Sequence, residues 1–198
     1  YLYLYFGKSL SLTILYFGVV HGIYGLLAVF GGKLMTRIGA RKSMLSSHFF
    51  FFGYFLILFF IQGSFLLVHL AIIFKAIGMT LFWPAFHVDF SRFSGGQYQG
   101  REVGKMNIAL LLPTIISPVL GGAILSAGGY PALFSAVMVV LFASSIPMFL
   151  SKESHIVYSD SYQKAWSKIF AKENRKVSLA LSADACESTI NAYLWPLF

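Results

Sequence analysis

Charge is scarce in this chain: Asp, Glu, Lys and Arg together make up 11% of its 198 residues. Soluble domains carry about 25%. Only one cysteine is present, Cys186, which excludes an intrachain disulfide and any metal cluster built from thiolates. Catalytic motifs are lacking as well. There is no His-Glu-x-x-His, and no residue set reads as a metal site. Gly7-Lys8-Ser9 ends like a phosphate-binding loop, but Leu2 occupies the place of the glycine that such a loop needs. Neither an enzyme nor a cofactor is expected. The first residues include no basic segment followed by a cleavage site, so no signal peptide is read. Beginning at Tyr1 and stopping at Phe198 within an apolar run, the chain reads as a fragment of a longer one.

What remains is apolar. Hydrophobic residues reach 58%, with 21 Phe and 18 Gly, and mean hydropathy is +0.75. A water-soluble fold of this size has too little interior to hide that surface, whereas lipid is itself an apolar solvent. Five runs are long enough to cross a membrane: Ser11 to Phe30, Ser43 to Gln62, Ser64 to Phe86, Met106 to Leu125 and Pro131 to Leu150. Tyr1 to Phe6 reads as the tail of another span and Val177 to Phe198 as the start of one. The runs are too long for barrel strands and lack their alternation. The expected fold class is all-α integral membrane.

The formal charge of +8 is not gathered into a nucleic-acid patch. Thirteen of the fifteen Lys and Arg fall in three links, Gly32 to Lys42, Asp89 to Lys105 and Ser151 to Lys176. These alternate with uncharged links at Gln62 to Ser64 and Ala127 to Tyr130, so all three basic links share one side. The positive-inside bias makes that side cytoplasmic. The longest link holds an amphipathic segment in which Tyr162, Ala165, Trp166, Ile169 and Phe170 share a face, with Asp160 or Ser161 as cap. It reads either as a helix on the leaflet surface or as one packed on the bundle. The expected organisation is a bundle over 1–150, a cytoplasmic linker over 151–176 and a further helix from 177.

The first basic link reads Gly32-Lys33-Leu34-Met35-Thr36-Arg37-Ile38-Gly39-Ala40-Arg41-Lys42. It resembles the signature loop of the major facilitator superfamily, which lies between that family's second and third helices. Gly32, Arg37, Gly39, Arg41 and Lys42 match it, and Thr36 replaces the usual Asp. Lys75 and Gly78 resemble the family's basic residue and glycine in helix 4, and Pro118, Gly121 and Gly122 half of its helix 5 antiporter motif. Pro113 and Ser117 stand where that motif has glycines. The resemblance implies an incomplete six-helix bundle running from the end of helix 1 to the start of helix 7. It also implies secondary transport of a small solute by alternating access, with proton-coupled efflux ahead of uptake by symport of a sugar or other metabolite. A membrane enzyme or accessory subunit is the alternative of another class. The expected location is the plasma or inner membrane, multi-pass, with H⁺ as coupling ion and no nucleic-acid partner.

Ionisable groups at bilayer depth mark pathways. Lys75 is one. Asp184, Glu187 and Asn191 fall on one face of the last segment, with Glu187 about 17 Å beyond Lys176 along a helix. That places Glu187, then Asp184, as candidates for proton or substrate binding. His21 is read as bonded to a neighbour, with cavity contact second; His48, His69 and His87 lie nearer span ends. Asp89 is expected to stand in for the charge missing at Thr36, near Arg37 and Arg41.

Overall fold

A computed structural model of the chain describes residues 1–61, 63–93, 99–151 and 161–189. Among the described residues every regular element is a helix: α1 (Leu2–Tyr5), α2 (Leu10–Ile38), α3 (Ala40–Phe60), α4 (Phe65–Phe93), α5 (Gln99–Leu150), α6 (Tyr162–Phe170) and α7 (Arg175–Thr189). The chain divides into two units, Tyr1–Tyr158 and Ser159–Phe198.

Helices α2 to α5 are long and apolar enough to cross a membrane. At 1.5 Å per residue, the 29 residues of α2 span about 43 Å, more than the ~30 Å hydrocarbon core. The helix therefore outruns the lipid, and its last turns carry Lys33 and Arg37. This corrects the expected loop at 32–42: Gly32 is helical, and among these residues only Gly39 leaves helical geometry, at φ 95° and ψ 156°. Its amide donates to Met35 O, ending α2, and its carbonyl accepts from the Ser43 amide, starting α3. A side chain at that φ is strained. In the same way α4 runs on past Phe86 to Phe93 and takes in Asp89.

The 52 residues of α5 exceed one span twice over, and the chain reverses at Gly129 (φ 67°, ψ −168°). Only 3.8 Å would separate a Cβ on Gly121 from Leu133 Cδ1; a straight helix holds residues twelve apart at about 18 Å. The expected break over Ala127 to Tyr130 thus narrows to one glycine between two arms, 99–128 and 130–150.

Two buried clusters fill the first unit, one reaching from the uncharged links inward to Ala76 and Met79 of α4 and one at the other end. Leu2, Tyr16, Ile61, Val68 and Phe134 meet near the uncharged links, and the Tyr1 ring sits 4.8 Å from Tyr130 beside the Gly129 bend. Met35, Ala40, Met44 and Ala85 meet at the other end, with Val88 and Met148 against them. There Arg41 Nη1 donates to Ser151 O at 2.8 Å, tying the start of α3 to the C-terminal end of α5. A cation on terminal helix carbonyls is favoured by the helix dipole. Lys33 and Arg37 in the last turns of α2 and Arg41 and Lys42 at the start of α3 lie at this end.

The α3–α4 contact is built on glycines. Phe74 packs over Gly53 and Phe51 over Gly78, each ring occupying the space a Cβ would need. Buried Ser43 donates to Leu81 O at 2.8 Å across the same contact. Ser43→Ala removes that bond and is expected to cost about 1 kcal/mol. A fall of a few degrees in the melting temperature of the detergent-solubilised protein checks it.

In the second unit, the Ser161 hydroxyl caps α6 by accepting from the Lys164 amide at 3.2 Å, while Asp160 lies outside the described residues. Tyr162, Trp166 and Phe170 line one face, with ring centroids 6.3 and 6.2 Å apart in turn. Ser178 at the start of α7 donates back to Ile169 O at 2.8 Å.

Candidate functional site

Lys75 lies ten residues into α4, about 15 Å from Phe65 and so near mid-membrane for a span beginning there. Its ammonium sits 5.0 Å from the centre of the Tyr54 ring and 5.6 Å from that of Phe51. Both rings belong to α3, one turn apart. Gly78 makes the arrangement possible. A Cβ there would stand 2.8 Å from Phe51 Cε1, so only glycine lets that ring slide under the lysine one turn away. Behind them, Tyr16 of α2 is 3% exposed. Its hydroxyl faces the Tyr54 side chain without closing a hydrogen bond of ordinary geometry. Three helices thus converge on one cation and two phenols.

No acid neutralises this cation from within the first 88 residues, because none occurs there. Asp89 follows 14 residues later on the same helix, about 21 Å away. The two rings supply about 2 kcal/mol of cation–π attraction when desolvated. A lysine at the centre of a membrane helix costs about 2.5–3.5 kcal/mol. The rings therefore roughly offset the burial and add little net stability.

The other predicted residues are dispersed. Arg37 and Lys42 are exposed at the basic end, Gly39 forms the turn there, and Arg41 is held by Ser151 O. Thr36, in place of the expected acid, donates to Lys33 O at 2.7 Å within its own helix. Asp89 is partly buried on α4. Pro118 and Gly122 are exposed and Gly121 partly buried on the 99–128 arm of α5. His21 Nδ1–H donates to Phe17 O at 2.8 Å on its own helix. Asp184 is exposed on α7. Glu187 falls on the same helix three residues on, its side chain outside the described set, and Asn191 lies outside the described residues. Among the described residues no group of three or more His, Cys, Asp or Glu is placed to hold a metal ion.

Sequence reasoning missed Gly31. Pro84 has no N–H to give Thr80 O, its partner four residues back. That carbonyl, left without its helix bond, lies against Gly31 of α2. A Cβ on Gly31 would overlap it, whereas one on Gly32 would meet nothing within 4 Å. The available signal was the proline: a Pro inside an apolar helix frees a carbonyl that another helix has to approach closely.

No curated protein and no solved structure matches the chain. The sequence model of the Major Facilitator Superfamily matches residues 1–196. With membrane-length helices, a basic end closed by Gly39 and Arg41, and a match over nearly its whole length, the chain belongs to the Major Facilitator Superfamily, a family of multi-pass membrane transporters.

Proposed function

We propose that the chain forms most of the first bundle of a proton-coupled exporter of a small solute, with its basic end in the cytoplasm. The observation that carries this reading is the Lys75 cluster: a cation retained at membrane depth, framed by Phe51, Tyr54 and Tyr16 where three helices meet. A group that adds little net stability there earns its place through transport. Export rather than uptake is favoured by the 99–128 arm, where Pro118, Gly121 and Gly122 resemble the antiporter pattern. We assign residues 1–150 to the bundle, 151–176 to the cytoplasmic linker and 177 onward to the first helix of the second bundle. Glu187 is the proposed proton carrier, with Asp184 and Asn191 beside it on one helix face.

The test uses the full-length protein in inside-out vesicles and a panel of solutes. Export predicts accumulation of a solute in these vesicles when their interior is acid, abolished by a protonophore. Accumulation only in right-side-out vesicles would establish uptake instead. Glu187→Gln is expected to leave solute exchange in place while abolishing its dependence on the proton gradient. Unchanged coupling in that variant removes Glu187 from the proton path.

A further inference from the structure

A groove of about 340 Å³ runs between α3 and the 130–150 arm of α5. Leu45, Phe49 and Phe52 form one wall and Leu141, Phe142 and Phe149 the other, with His48 and Ser145 also in the lining. The polar groups in its neighbourhood are turned to one another. His48 Nδ1–H donates to Met44 O at 2.8 Å, Nε2 lies 3.1 Å from the Ser144 hydroxyl, and that hydroxyl donates to Leu141 O at 2.8 Å. An occupant of this groove would therefore meet hydrocarbon and aromatic faces.

The groove has a direction. Lys42, Leu45, Phe49 and Phe52 are spaced by three, four and three residues, which places them on a single stripe of α3. Leu45 to Phe52 covers about 10 Å of helix, within the ~15 Å of hydrocarbon in one leaflet. Lys42, exposed, stands one turn beyond Leu45 at the basic end. Arg41 beside it is anchored at Ser151 O, next to Phe149 on the opposite wall. Residues 1–88 contribute no acid to this mouth. A lipid-facing slot with a positive end at the membrane surface is complementary to one molecule that a bilayer supplies: an anionic lipid. We propose that this groove seats an acyl chain of an anionic phospholipid whose phosphate rests against Lys42. The lipid bridges α3 and the 130–150 arm at the end where Arg41 also joins them.

The full-length protein, purified and partly delipidated, is titrated with phosphatidylglycerol or phosphatidylcholine of identical chains and read by native mass spectrometry. Phosphatidylglycerol is expected to be retained about tenfold or more over phosphatidylcholine, and Lys42→Glu to cut that retention by about tenfold. Ser145→Trp, which fills the slot, is expected to do the same, and chain-free glycerophosphoglycerol not to compete. Equal retention of the two lipids, or undiminished retention by Lys42→Glu, overturns the site. An independent arm leaves the protein unaltered. Phosphatidylglycerol with a diazirine on its acyl chain should label peptides containing Leu45 to Phe52 and Leu141 to Phe149 on irradiation in vesicles. Labelling confined to other helices overturns the proposal.

Discussion

Gly31→Ala is expected to destabilise the first bundle by roughly 1–3 kcal/mol or more, the range for forcing a methyl into a packed interior. The new Cβ would overlap the carbonyl oxygen of Thr80. A flexible side-chain tip could swing away cheaply. A backbone carbonyl cannot, since moving it displaces α4 itself, with Ala76 and Met79 from the buried core. The Thr80 hydroxyl is already bonded to Ala76 O at 2.8 Å, which fixes that turn further. In the native contact, Cα–H groups of Gly31 can face the carbonyl freed by Pro84, a weak hydrogen bond of about 0.5–1 kcal/mol. Alanine is the better helix former by about 1 kcal/mol, and that gain is what Gly32→Ala should show, because its site is open. The adjacent pair therefore separates propensity from packing. Melting of the full-length protein in detergent should fall for Gly31→Ala and hold or rise for Gly32→Ala. Equal behaviour of the two variants would reject the close approach of α2 and α4 at Thr80.

That pair also shows where sequence reading succeeded and where it ran out. The spans were legible because lipid demands about 20 apolar residues in a row, and the runs around Ser11 to Phe30 and Ser43 to Gln62 meet that demand by composition alone. Their ends were not. Lys33 and Arg37 end the hydrophobic run without ending the helix, since charged residues are good helix formers once the chain is in water. Only Gly39 stops it, by adopting a φ that other residues resist. The signature stretch drew attention to Gly32, whereas the glycine under constraint is Gly31, whose requirement comes from Thr80 and Pro84 some fifty residues away. Phe51 and Tyr54 were likewise two aromatics in a phenylalanine-rich run until α3 and α4 were placed side by side. Lys75 itself was visible as a charge inside an apolar segment; its surroundings were not. Long-range partners of this kind leave no periodicity to read.

Lys75→Met is expected to lower solute flux by about tenfold or more while leaving the fold intact. Methionine keeps much of the length of the lysine stem and can lie against Phe51 and Tyr54, trading cation–π attraction for sulfur–aromatic contact of about 0.3–1.5 kcal/mol. It also removes the cost of holding a charge at membrane depth, about 2.5–3.5 kcal/mol. The balance favours equal or higher thermal stability, as when buried charges give way to apolar residues elsewhere. A purely structural lysine would behave in the opposite way, with stability falling and flux following it in proportion. Tyr16→Phe supplies the second reading at the same place. Its hydroxyl is buried and makes no hydrogen bond among the described residues, so its loss should not weaken the fold, and a fall in flux with unchanged melting temperature would tie the phenol to the same path as the cation. Full flux in Lys75→Met at normal abundance would remove this cluster from the transport route, leaving the membership of the chain in its family untouched.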